Sequence, residues 1–144
     1  MKIQIVRDKQ QVTLMQDDII TMPLEQLLQT VANGTCMKLT LSDILDYQTD
    51  RQSTINLILP KIRYGGSIIL EGRDLTNVSI GFASGKIDID QINSMLYAGK
   101  LSCSTLEATI QMLKIARFKI TKSVFFDTEE YMYQIIAERP KPNA

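Results

Sequence analysis

Apolar residues recur along the chain with two periods, and the change from one to the other marks out strands and helices. Ile68, Ile69 and Leu70 form a continuous apolar run with Gly65-Gly66 before it and Gly72 after it. A strand apolar on both faces is expected inside a parallel sheet covered by helices, so this run predicts the centre of an α/β core. Cys36 to Leu41 predicts a strand beside it. Ile3 and Ile5 alternate with Lys2 and Gln4, and Val12 and Leu14 alternate again after the polar Arg7-Asp8-Lys9-Gln10. These two short segments predict an amino-terminal hairpin. Phe118 to Phe126 and Tyr131 to Glu138, on either side of the polar stretch 127–130, predict a second hairpin at the carboxy-terminal end.

The helices follow the other period. Leu24, Leu27, Leu28 and Val31 fall at i, i+3, i+4 and i+7, with Pro23 in the opening turn and Gly34 as the stop. Thr49 or Asp50 caps the next helix, whose inward residues are Ile55, Ile58, Leu59 and Ile62 and whose regular part Pro60 ends near Leu59. Gly65 and Gly66 then carry the chain through a left-handed residue into the strand. Asn77 to Ala83 predicts a short helix, and Asp88 or Asp90 starts another through Ile89, Ile92, Leu96 and Tyr97, stopped by Gly99. Ser104-Thr105-Leu106-Glu107 predicts a capping box, opening a helix to about Arg117 that turns Leu106, Ile110 and Leu113 inward.

A chain of 144 residues, 44% hydrophobic and 22% charged, is long enough for one domain spanning residues 1–144 with its own core. The 16 basic and 16 acidic residues cancel, so there is no global field to hold nucleic acid or an anionic membrane. No apolar run approaches the roughly 20 residues of a membrane span, and a cytoplasmic setting is expected. Cys36 and Cys103 read as free thiols.

The inventory for chemistry is thin. The chain has no histidine, and residues 1–33 contain no glycine. Neutral-pH proton transfer would fall to carboxylates, and no turn after the first strand lets backbone approach a nucleotide-like ligand. Ligands in open α/β sheets sit beyond the carboxyl ends of the strands. That places Ser42 and Asp43, with Glu71, Arg73 and Asp74, on the rim of any pocket; Glu71, Arg73 and Asp74 also read as a solvated ion-paired loop. No metal site is expected.

Residues 57–75, Leu-Ile-Leu-Pro-Lys-Ile-Arg-Tyr-Gly-Gly-Ser-Ile-Ile-Leu-Glu-Gly-Arg-Asp-Leu, resemble the helix, glycine pair and fifth strand of class I S-adenosylmethionine-dependent methyltransferases. Arg63-Tyr64 stand where that family usually has lysine and proline. Leu41 to Tyr47 resembles the end of the family's fourth strand: Ser42, Ile44-Leu45 and Asp46 are kept, while Asp43 and Tyr47 replace two histidines. The last helix, the hairpin and Arg139-Pro140 match the elements that close the family's sheet. The resemblance covers about residues 36–140. It implies a truncated Rossmann-like methyltransferase fold, a mixed sheet with a C-terminal antiparallel hairpin, in which 1–35 is a reduced cofactor half and 36–140 a retained second half.

Asp17-Asp18 sit where the family's second strand would offer an acid to ribose hydroxyls, though an acidic pair after a strand also reads as a turn or cap. The missing glycines and histidines imply a non-catalytic binding or structural module, with no cofactor expected. The alternative is a minimal methyltransferase that binds S-adenosylmethionine through Asp17, Asp18, Ser42 and Asp43, alone or with a partner chain. A third reading is an α/β binding domain outside that family. Reduced proteins of this kind are similar to phage-encoded ones, which implies the host cytoplasm or the virion as a setting. A shortened sheet should need cover at an edge. The amino-terminal hairpin is the expected contact, with a protein partner or a second copy on it.

Overall fold

The computed structural model describes residues 1–7, 14–16 (backbone alone), 18–127 and 130–142. The strands are β1 (Lys2–Val6), β2 (Leu14–Gln16), β3 (Ile19–Pro23), β4 (Cys36–Ser42), β5 (Ile62–Arg73), β6 (Lys119–Asp127) and β7 (Met132–Glu138). The helices are α1 (Leu24–Thr30), α2 (Arg51–Ile58), α3 (Leu75–Ala83), α4 (Ile89–Leu96) and α5 (Leu106–Ile115). All the strands join one mixed sheet in the order β2-β3-β1-β4-β5-β7-β6. Its middle, β3-β1-β4-β5, is parallel, and β2, β7 and β6 run antiparallel to their neighbours. The expected centre at β5 beside β4 and the carboxy-terminal hairpin on one edge are both present.

The amino-terminal hairpin is not. β1 lies inside the sheet, with Lys2 opposite Ile19 of β3 on one side and Lys38 of β4 on the other. β2 pairs with β3 instead, and residues 11–13 of the expected second arm lie outside the described residues. The reason is burial. Ile3 and Ile5 are 1% and 2% exposed, and a two-stranded ribbon at a sheet edge could not have covered them.

Burial alternates along β1, β7 and the second half of β5. Ile3 and Ile5, Leu39 and Leu41, Ile68 and Leu70, and Tyr133, Ile135 and Ala137 form one closed face. Leu27 of α1, Ile55 and Ile58 of α2, and Leu113 of α5 pack on it. The intervening positions, among them Gln4, Thr40, Ile69, Gln134 and Ile136, are half-buried or exposed. The apolar run of β5 was expected to be covered on both sides, yet Ile69 lies on the more open face. Across the sheet it stands between Thr40 and Ile136, and Ser67 and Glu71 flank it on the same face of β5, so this face is largely polar and meets water at little cost. Val78, Ile87 and Met95 of the α3–α4 region form a small separate cluster.

Local boundaries differ from expectation at two places. β5 begins at Ile62, so Gly65-Gly66 lie within the strand rather than ahead of it; Gly65 has φ +81°. A Cβ on Gly66 would lie 2.9 to 3.0 Å from the carbonyls of Met37, Cys36 and Arg63, where the pairing with β4 shifts register. α5 is capped by Thr105, whose hydroxyl accepts the N–H of Ala108, and not by Ser104. Ser104 is held in a bridge to Asp74, which delays the helix by one residue. Of the alternatives open in the sequence, Asp88 caps α4, in a capping box with Gln91, and Asp50 caps α2. Among the described residues, no helix is long and apolar enough to cross a membrane.

Candidate functional site

β1 has β3 on one side and β4 on the other, so the chain order reverses across it. At such a switch point the connections diverge and leave a crevice at the carboxyl ends. The structure has a cavity of about 410 Å³ there. Val6 and Arg7 line it from β1, Pro23 and Glu25 from the β3–α1 junction, and Ile44 and Tyr47 from the segment after β4. The Arg7 guanidinium carbon stands 4.2 Å from the centroid of the Tyr47 ring. This cation–π contact joins the wall formed by β1 to that formed after β4.

Beside the crevice, the segment after β4 is tied to residues 100–102. Asp46 is 4% exposed; its Oδ1 is 2.6 Å from Arg51 Nη1 and its Oδ2 3.3 Å from Lys100 Nζ. Lys100 Nζ is also 3.4 Å from Asp43 Oδ1. The Asp46 carbonyl accepts the N–H groups of Leu101 and Ser102, and Ser102 Oγ donates to the Leu45 carbonyl. Two carboxylates and two cations thus neutralise one another with their backbone fixed.

The other rim residues are also engaged. The Asp43 N–H donates to the Glu71 carbonyl at 2.8 Å, and Asp43 adopts φ 55°. Glu71 Oε2 accepts from Gln134 Nε2 at 3.1 Å. Arg73 donates to the Glu130 and Met95 carbonyls and pairs with the Glu130 carboxylate at 2.9 Å. Asp74, 3% exposed, accepts the N–H of Asn77 at 2.9 Å and of Leu106 at 2.7 Å.

Ser42, Asp43, Glu71, Arg73 and Asp74 therefore stand at or just after the carboxyl ends of β4 and β5, and none of them lines the crevice. Asp18 does not join them. It precedes Ile19, at the amino end of β3, in a left-handed turn with φ 63°. Asp17 lies outside the described residues. The acid that follows β3 at its carboxyl end is Glu25, overlooked because Thr21-Met22 reads as the approach to a helix. The alternation of Ile20 and Met22 ahead of Pro23 was the available signal. Arg7 reads as a turn residue, and nothing local shows that it reaches Tyr47.

The crest of β1 fits S-adenosylmethionine poorly. Val6, its last residue, and Arg7 just after it carry full side chains where a close backbone approach needs glycine. The Arg7 guanidinium over Tyr47 also puts a positive charge beside the space that a sulfonium ligand would enter. Among the described residues, no group of three or more His, Cys, Asp or Glu is arranged to hold a metal ion.

No protein-family model and no curated protein sequence matches the chain. Solved structures do. A complex between the Haloferax volcanii Trm112 methyltransferase activator and a putative methyltransferase matches over 89% of this chain and 65% of that one, at 11% identity and a TM-score of 0.60. A SAM-dependent methyltransferase from Archaeoglobus fulgidus matches over 84% of this chain and 67% of its own, at 13% identity and a TM-score of 0.61. An O-methyltransferase family protein from Burkholderia thailandensis matches over 88% and 37%, at 12% identity and a TM-score of 0.62. The chain thus spans about a third to two thirds of the length of these proteins. Their sheet is reproduced over nearly all of this chain, which has the Rossmann-like α/β fold of the class I S-adenosylmethionine-dependent methyltransferases.

Proposed function

We propose that the chain is a non-catalytic methyltransferase-like module that acts by binding protein, as a structural or assembly component, with a phage virion as one setting. The observation that carries this reading is the closed charge cluster after β4. Of the two acids in the segment after β4, Asp46 is paired with both Arg51 and Lys100, while Asp43, its side chain 29% exposed, stands 3.4 Å from Lys100. A general base must be able to take a proton from a substrate within hydrogen-bond reach. A carboxylate fixed between two cations, 4% exposed, is poorly placed to do so. With no histidine in the chain, no imidazole replaces it.

A second reading, a minimal methyltransferase, rests on the crevice itself. Its volume of about 410 Å³ is within the range of small-molecule pockets, and Glu25 lines its β3 side. One of the similar structures is a methyltransferase in complex with an activator, so a partner chain belongs to either reading. Titration calorimetry with S-adenosylmethionine and S-adenosylhomocysteine separates them. The non-catalytic reading expects binding no tighter than roughly millimolar, about 4 kcal/mol, and no methyl transfer. A micromolar dissociation constant would establish the second reading in its place.

A further inference from the structure

β6 is an edge strand, and its exposed residues are unusual for that position. Natural edges are blunted with charge, bulges, proline or short length, and β6 has two of these, Lys119 and Lys122 and a pair of bulges, beside an apolar stretch that they leave open. Here Val124, Phe125 and Phe126 are 36%, 43% and 51% exposed in succession, on a strand of 9 residues. Two irregularities interrupt its pairing with β7, one at Thr121 and one at Phe126, so that each inserts an extra residue on β6.

The strand is self-complementary about Ser123. Lys119, Lys122, Val124 and Asp127 stand opposite Glu138, Ile136, Gln134 and Met132, the alternate positions of β7 that point away from the helices. Ile120, Ser123 and Phe125 stand opposite Ala137, Ile135 and Tyr133, on the helix-covered face. We propose that β6 pairs antiparallel with β6 of a second copy of this chain, about a two-fold axis at Ser123, joining two sheets into one. In that register Lys119 of each copy faces Asp127 of the other, two ion pairs in all. Lys122 faces Val124 on the same side of the sheet, and Ile120 faces Phe126. Because side chains alternate between faces, a slip of one residue would set Ile120 against Asp127. Centring the pair on Lys122 would set that ammonium against its own copy. Ser123 is the centre that matches both charge and face, and it covers the apolar edge with like residues. This inference does not depend on whether the crevice binds a ligand.

Sedimentation equilibrium of the full chain at micromolar concentration should give twice the 16.3 kDa mass. Lys119→Asp alone and Asp127→Lys alone each set like charges face to face twice, and each should weaken self-association about tenfold. The double variant Lys119→Asp/Asp127→Lys should restore it, because the pairs re-form with signs exchanged. Thermal melting of each variant reports folding independently. Asp127 also accepts the N–H of Glu130, so Asp127→Lys could fail to fold. Ser123→Cys in a Cys103→Ser background then decides: copper phenanthroline should yield a covalent dimer through position 123. A monomer throughout the micromolar range, a dimer indifferent to the single reversals or not rescued by the double, or a folded Ser123→Cys chain that does not cross-link would each overturn the proposal.

Discussion

Asp46 and Lys100 lie 54 residues apart in sequence and 3.3 Å apart in space, with side chains only 5% and 3% exposed. Removing both charges from water is costly, and a further cation and the surrounding backbone hold the pair, although Arg51 Nε and Asp43 Oδ1 of the same cluster have no hydrogen-bond partner. Arg51 takes the other carboxylate oxygen at 2.6 Å, and the backbone of residues 101 and 102 takes the Asp46 carbonyl. Breaking such a pair leaves a charge unmatched in a low-dielectric site. Lys100→Met should lower unfolding stability by about 3 kcal/mol in urea titrations, towards the lower end of such losses because Arg51 remains. A loss under roughly 0.5 kcal/mol would mean that the cluster is solvated.

Asp74 does the work of a cap for two helices at once. Its Oδ2 accepts the N–H of Asn77 in the first turn of α3, and its Oδ1 accepts the N–H of Leu106 at the start of α5. Both positive helix ends meet one buried carboxylate. Asp74→Ala should cost about 3 kcal/mol, more than the roughly 1 kcal/mol of a single cap, since it orphans two donors in a site 3% exposed. Hydrogen exchange should accelerate in the first turns of α3 and α5 together. Acceleration confined to one of them would show that the carboxylate does not link the helices.

On β5, Ile68 is wholly buried and Ile69 is not. Ile68→Ala should cost about 2 to 5 kcal/mol, and Ile69→Ala markedly less. Equal losses in urea unfolding would place a cover over the second face that the described residues do not supply.

That contrast shows where the sequence could be read and where it could not. The stripe Leu24, Leu27, Leu28, Val31 is a local pattern that packs on the core as expected, and the β5 run is a central strand as expected but is closed on one face only. Whether Ile69 is covered depends on Thr40 and Ile136 across the sheet, which its own neighbours in sequence do not reveal. β1 fails for a related reason. Alternation identifies a strand but not its partners, and parallel pairing of Lys2 with Ile19 and Lys38 leaves no local mark. The lining of the crevice by Arg7, Glu25 and Tyr47 has no local signature, whereas the placement of Ser42, Asp43 and Glu71 at strand ends is legible. The cation that occupies Asp46 is not, because Lys100 arrives from a distant loop.

Tyr133 supplies a pH-dependent test of the core. It is 1% exposed and its hydroxyl lies 3.0 Å from Thr109 Oγ1, joining β7 to α5. Burial pushes its pKa up, and the hydrogen bond with Thr109 and the charge of Arg51 only partly oppose this. The unfolded chain releases the phenol proton near pH 10, while the folded chain holds it to higher pH. Below about pH 10 both states are protonated and the contribution of Tyr133 is fully present; as pH rises through the folded value it is lost, because deprotonation favours the unfolded state. Tyr133→Phe should cost about 1 kcal/mol at neutral pH through the lost hydrogen bond. Its stability should then fall less steeply with alkali than that of the parent, so urea unfolding curves measured from about pH 8 to about pH 11 should bring the two proteins together. A constant gap across that range would show that Tyr133 titrates alike in both states and that the β7–α5 contact is open to water.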